Sequence, residues 1–392
     1  MPRELECFEI QTGFPIACIT ITQASEIVLG GGGGSGRSGV KNKLAVYTIS
    51  ASTKTFEAVS SLVLSSDEDA PTCVAQHPKD KTLVASVNAS KKKIEAGENN
   101  NCRLFELKKK SIRPGKSAAS VASTNELDYQ RCIDVDPHGK LVAGGSTNGT
   151  LAVMRYPQLT PAFPFVEASG EINDVSFNAS GKWLAVATDS ELRVVVSRDG
   201  SAVQSIEKPH TTSGVRANFR FARFGRAKGT LNAFHSTQKS PVELTNVLYT
   251  VLNTKSRKQA YVALWDTTTW KRLGTRPVCN SVITTMALSN NGKLLAFATA
   301  SLQIVICDAH SLRVLMRIPG AHAFAITALA FTNDDCYLVS GSADESCHAY
   351  VIPDKWPTAF TTIAESIMAN LQLVIMLLVL LLGITAALIM RS

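Results

Sequence analysis

Alternating apolar and polar positions recur along the chain, each set followed by a polar turn and then a nearly continuous apolar run. One copy reads Cys132-Ile-Asp-Val-Asp-Pro-His-Gly-Lys-Leu-Val-Ala-Gly-Gly-Ser. Others begin at Val175, Met286 and Leu329, and a degenerate copy begins at Val74. Period-two alternation broken by Gly, Asn or Asp predicts a β-hairpin. The turn glycines Gly139 and Gly181 are 42 positions apart, and Gly292 and Asp335 are 43 apart. A multi-strand unit recurring every 40–45 residues or so predicts propeller blades. The interval from Gly181 to Gly292 fits two units, with 225–231 as the turn of a drifted blade and 231–245 inserted into it. Seven blades are expected, beginning near Phe14, Ala70, Leu127, Gly170, Ser213, Ser281 and Phe324. Residues 4–10 supply a closing strand to the last blade. Residues 87–101 and 110–125 read as polar loops, the second as a mobile one.

A second pattern sits inside the first blade. Residues 30–44 read Gly-Gly-Gly-Gly-Gly-Ser-Gly-Arg-Ser-Gly-Val-Lys-Asn-Lys-Leu. Such a run has a large ordering cost, so it points to a backbone that binds something. Residues 31–38 nearly fit a phosphate-cradling G-x-x-x-x-G-K-[ST] loop, except that Arg37 replaces the lysine. Gly34, Gly36 and Gly39 fit G-x-G-x-x-G. Both motifs need a following helix. Here the downstream residues alternate as a strand, so a nucleotide loop is disfavoured. A solvated Gly/Ser hairpin tip is the plain alternative.

The C-terminal segment breaks the pattern. Residues 371–390 carry no charge and are dominated by Leu, Ile, Val, Ala and Met. At about 1.5 Å per residue they span about 30 Å, one hydrocarbon thickness. The expected organisation is a cytosolic propeller over 1–352, a juxtamembrane linker over 353–366, a single transmembrane helix over 367–390 and a lumenal tail at 391–392. No secretory signal is read at the N-terminus.

Composition changes this picture little. The 392 residues are 45% hydrophobic and carry a formal charge of +8, partly in the lysine runs 91–93 and 108–110. These runs lack interleaved aromatics, and no nucleic-acid partner is expected. Nine scattered cysteines without a C-x-x-C pair fit a reducing compartment. No histidine stands at metal-ligand spacing. There is no G-x-S-x-G elbow and no defensible acid–base pair, so covalent catalysis is not expected. Three sequons, at Asn88, Asn148 and Asn178, should stay bare on a cytosolic domain.

Trp265-Asp266 closes an apolar strand as the Trp-Asp pair of WD-repeat proteins does. The G-G-G-G-x-G-x-x-G-[hydrophobic]-x-N pattern at 31–42, the seven blades and the terminal apolar span together resemble one family. It comprises the endoplasmic-reticulum membrane guanine-nucleotide exchange factors for the Sar-type small GTPase, which start COPII coat assembly. The resemblance implies an all-β, seven-bladed WD-repeat-like propeller and a potassium ion in the first-blade loop. Mapped by motif, Gly31, Gly32, Gly33, Gly34, Gly36 and Asn42 would shape or hold the ion site. Gly39, Val40 and Asn42 would contact the GTPase, with Val40 the apolar contact. It further implies residence in the endoplasmic-reticulum membrane and GDP release by preferential binding of the nucleotide-free GTPase. The alternative is an exchange-inactive anchored scaffold that assists cargo exit. Alanine at Gly31 through Gly34 is expected to remove exchange and leave the fold intact.

Overall fold

The computed structural model describes residues 4–35, 39–207, 214–231 and 241–356. Within them the strands group into seven radial antiparallel sheets and one small two-stranded hairpin. The first strands of the blades are Ile16–Ile21, Cys73–Gln76, Gln130–Val135, Ile172–Phe177, Ala217–Phe224, Ile283–Leu288 and Ile326–Phe331. They touch one another in a closed ring. Each begins within four residues of the start expected from the repeat. Six blades have four strands, and the third carries two short outer pieces instead of one.

The sequence explains why the sheets stack. Second strands such as Leu141–Ser146, Trp183–Thr188 and Leu294–Thr299 are buried on both faces, so they read as apolar runs. Small residues recur there because neighbouring blades press in. A Cβ at Gly145 would lie 2.3 Å from Ile172 Cγ2 of the next blade. Outer strands are polar on their open face, as in Ala202–Glu207. Apolar clusters fill the wedges between blades. One joins Phe14, Ile27 and Leu29 of the first blade to Val339 and Cys347 of the seventh.

The ring is closed by the strand Cys7–Gln11, which pairs antiparallel with Ser346–Val351, from Cys7 opposite Tyr350 to Gln11 opposite Ser346. Thr12 reinforces the joint, its amide and hydroxyl both donating to the Glu345 carbonyl at 2.8 Å. The drifted fifth blade pairs Ala217–Phe224 with Val247–Thr254. The insertion between them carries a small hairpin, Thr230–Leu231 with Val242–Glu243. At the Trp-Asp pair, Trp265 Nε1 donates to Thr250 Oγ1 at 3.0 Å, and Asp266 accepts from Thr269 Oγ1 at 2.7 Å.

Two loop expectations are corrected. Residues 87–101 include a short helix, Lys91–Glu95, anchored by buried Ile94. The stretch 110–125 is not a mobile loop throughout. Ser111–Ala118 is the outermost strand of the second blade, paired with Cys102–Lys108. Its polar composition suits an edge strand exposed on one face, and strand pairing overrides low propensity there.

The described residues hold no helix long and apolar enough to cross a membrane. The apolar segment 371–390 lies outside them. Contacts divide the chain into Met1–Ile352 and Pro353–Ser392. Seven of the nine cysteines are buried. Burial pushes the Cys18 thiol up to about 12. Asn88 is buried and hydrogen-bonded to Asn99 and to the Asp128 carbonyl, so its sequon is inaccessible in the fold.

The seventh blade carries a titratable network. His322 Nε2 lies 2.7 Å from Ser340 Oγ, and Nδ1 lies 3.2 Å from Asp344 Oδ2. His348 stacks on the imidazole with centroids 4.0 Å apart. Burial, then the His348 ring, pull His322 down to about 4, against the opposite pull of Asp344. The unfolded imidazole titrates near 6.5. The unfolded chain therefore binds more protons between these values, and stability falls as pH drops from about 6.5 towards 4. The ceiling of this effect is about 3 kcal/mol. Melting temperature should fall between pH 7 and 5 in the parent and less steeply in His322→Asn. Parallel slopes would show that another group is responsible.

Candidate functional site

The glycine loop occupies residues 32–42, between the strands Ile27–Gly31 and Lys43–Ser50. A strand follows it, so it lacks the helix start that phosphate motifs require. It sits at the end of the propeller that carries the turns between second and third strands and the blade-to-blade connectors.

Asn42 holds the loop. Its Oδ1 accepts from the Gly34 amide and its Nδ2 donates to the Gly34 carbonyl, both at 3.0 Å. The same Nδ2 donates to the Glu68 carbonyl at 2.9 Å, and the Asn42 carbonyl accepts from the Leu64 amide at 2.8 Å. One side chain thus ties the loop to the connector leading into the second blade. Only an amide offers an acceptor and two donors at this spot.

The glycines have separate reasons. Gly31 ends a strand, and a Cβ there would lie 2.0 Å from the Pro15 carbonyl oxygen. Gly32 has φ +144°, and its Cβ would lie 2.3 Å from Asn42 Oδ1. Gly34 and Gly39 have φ of +76° and +82°. Gly33 lies in the turn, half-buried. Gly36 lies outside the described residues, as do Arg37 and Ser38. Alanine at Gly31 would therefore collide with backbone, which corrects the expectation that alanines at 31–34 are silent in the fold. Val40 is half-buried and packs against the cluster of Phe14, Ile27 and Tyr47, while also lining the groove beside the loop.

That groove has a volume of about 720 Å³ and runs between the loop, the connector and the helix Lys91–Glu95. Val63, 49% exposed, lies on it. The sequence reading missed its acidic wall, Glu68 and Asp69. The signal was present in Ser65-Ser-Asp-Glu-Asp-Ala, an acidic run directly before a blade. Burial would raise the Glu68 carboxyl, but hydrogen bonds from Ser65 and the paired Arg103 outweigh it and hold it low. Asp69 is the reverse. Burial raises it, and the amides of Ala70 and Ser35 offset only part of that.

These surroundings bear on the potassium ion that the resemblance implies. The described residues contain no group of three or more His, Cys, Asp or Glu side chains able to hold a metal. The oxygens at the loop are the Gly34 and Glu68 carbonyls, Asn42 Oδ1 and the Asp69 carboxyl, each already accepting a hydrogen bond from Asn42 Nδ2 or from a backbone amide. Carbonyl-rich oxygen sets suit a large, weakly hydrated alkali cation. Oxygen is the donor type such an ion takes, and the ion itself rests on the resemblance.

The fold defines the class: a seven-bladed β-propeller with a side-chain-clamped glycine loop at one end. The WD domain, G-beta repeat family matches residues 163–195 and 313–350. A chain in the crystal structure of the mitotic checkpoint complex has the same fold, with TM-score 0.61 and 13% identity over 89% of this chain and 94% of that one. Within the class, the chain is similar to the SEC12 proteins over most of its length. It is 25% identical to SEC12-like protein 2 of Arabidopsis thaliana, covering 82% of this chain and 74% of the relative. It is also 25% identical to the guanine nucleotide-exchange factor SEC12 of Candida glabrata, over 88% and 72%. The SEC12 exchange factor of Rattus norvegicus is 24% identical over 64% and 60%.

Proposed function

We infer that this chain is a guanine-nucleotide exchange factor that releases GDP from a Sar-type small GTPase at the endoplasmic-reticulum membrane, the step that starts COPII coat assembly. The observation that carries this reading is the Asn42 clamp on the glycine loop, in a chain similar to SEC12 exchange factors along most of its length. Such a protein is regulatory and makes no covalent bond. It must bind the nucleotide-free GTPase more tightly than the loaded one, and by linkage that difference expels the nucleotide.

The chain's own residues supply rigidity. Asn42 fixes Gly34, the Gly32 turn leaves room for that amide, and Val40 seats the returning strand on the core. Bound potassium would neutralise Asp69 and stiffen the loop through carbonyls. The apolar segment 367–390 would anchor the propeller to the bilayer, with the C-terminus in the lumen.

The test is GDP release from a purified Sar-type GTPase. The full chain should speed release by at least about tenfold, more in potassium than in sodium buffer. No acceleration in either buffer would overturn the assignment. Recovery of cargo without nucleotide-free GTPase would favour an anchored scaffold.

A further inference from the structure

The central channel opens at the glycine-loop end into a funnel of about 550 Å³. Its wall comes from the starts of the first strands of the third to sixth blades and the turns above the fourth and fifth. Four cations line it, Arg131, Arg220, Lys255 and Arg257, against two carboxylates, Glu171 and Asp189. Both carboxylates are already committed. Glu171 pairs with Arg131. Asp189 accepts at both oxygens, from Asn173 Nδ2 at 2.8 Å and from Asn218 Nδ2 at 2.9 Å. Among the described residues, Arg220, Lys255 and Arg257 have no carboxylate at ion-pair distance.

Arg220 is the telling member. Its Nη1 donates to Asn173 Oδ1 at 2.7 Å, and its guanidinium lies 5.3 Å from the Phe221 ring centroid. Asn173 is itself held by Asp189 and by the Phe219 carbonyl, so it fixes the fork. Burial, then repulsion from Arg131, bring Arg220 down to about 10, against Asp174 and Asp189. The carboxylates that attract it, Asp174 and Asp189, act through the field and form no direct ion pair with it. Two further cations, Lys255 and Arg257, face solvent across the funnel.

We propose that this channel mouth is a binding site for a small phosphate-type oxyanion, held by Arg220 at the base and by Lys255 and Arg257 at the rim. A planar guanidinium fixed on one side offers its remaining N–H groups in a fork that matches phosphate oxygens. The two ammonium and guanidinium groups at the rim are exposed and free to close over a multiply charged anion. A low-dielectric wall around a net positive funnel focuses anions into it. This site stands apart from the glycine loop and does not depend on the exchange reading.

The probe is inorganic pyrophosphate, titrated calorimetrically into the full chain in detergent at low ionic strength. Binding tighter than about 1 mM is expected, weakening as salt is raised. Arg220→Gln should weaken it by about tenfold or more. Lys255→Gln combined with Arg257→Gln, both at exposed positions that do not support the fold, should weaken it by about fivefold. A parallel arm with short-chain phosphoinositide identifies the source. Tighter binding of the lipid marks a headgroup, and equal or weaker binding marks a free anion; the site stands in either case. Absence of heat up to about 1 mM pyrophosphate, or affinity unchanged in both variants, overturns the proposal.

Discussion

Asn42→Ala is expected to abolish exchange while the propeller melts close to the parent temperature. Three side-chain hydrogen bonds disappear, at 2.9–3.0 Å, two to Gly34 and one to the Glu68 carbonyl. At about 1 kcal/mol each they amount to about 3 kcal/mol of loop order, equivalent to roughly a hundredfold in a rate that depends on the ordered form. The core is untouched, because the clamp joins a loop to a connector. Asn42→Asp separates geometry from shape. It keeps an acceptor for the Gly34 amide but loses both donors and sets a negative charge against two carbonyls. It should fail like alanine. Faster amide exchange over residues 32–42 would accompany the loss. Parent-like GDP release with Asn42→Ala would sink the clamp as the working element.

The second large effect is on stability. Asp174 is buried on the first strand of the fourth blade and pairs with Arg223 Nη1 at 2.7 Å. Its other oxygen accepts from the Ala222 amide at 3.0 Å, so it ties the fourth blade to the fifth. Asp174→Asn strands the Arg223 charge and should cost about 3–5 kcal/mol. Removing both charges, with Asp174→Leu and Arg223→Met, should recover much of that loss. Denaturant unfolding of the parent and the two variants checks both expectations. A cost below about 1 kcal/mol for the single variant would mean that the pair holds nothing together.

The propeller was legible because its turns repeat a physical requirement. Gly139, Gly181 and Gly292 all sit at positive φ in tight hairpin turns, and only such residues recur at a fixed spacing. Blade starts followed from them. The outer strand Ser111–Ala118 was illegible because half its surface faces solvent, so Ser, Lys and Gly cost little there and composition reads as loop. At the site, Asn42 was recognised from its motif. Glu68 and Asp69 were not, because they arrive from a connector 26 and 27 positions further on, brought in by closure of the second blade. Gly31 looked like part of a binding loop, yet its missing side chain makes room for Pro15. A run of identical residues hides different causes that only packing separates.

The strand Cys7–Gln11 finds its partner in residues made some 340 positions later. During elongation on the ribosome it must remain an open edge while six blades form beside it. A loop closure of that length delays the last cooperative step of folding. Until Ser346–Val351 emerge, the nascent protein is an unlatched fan, the state most exposed to illegitimate strand pairing between molecules.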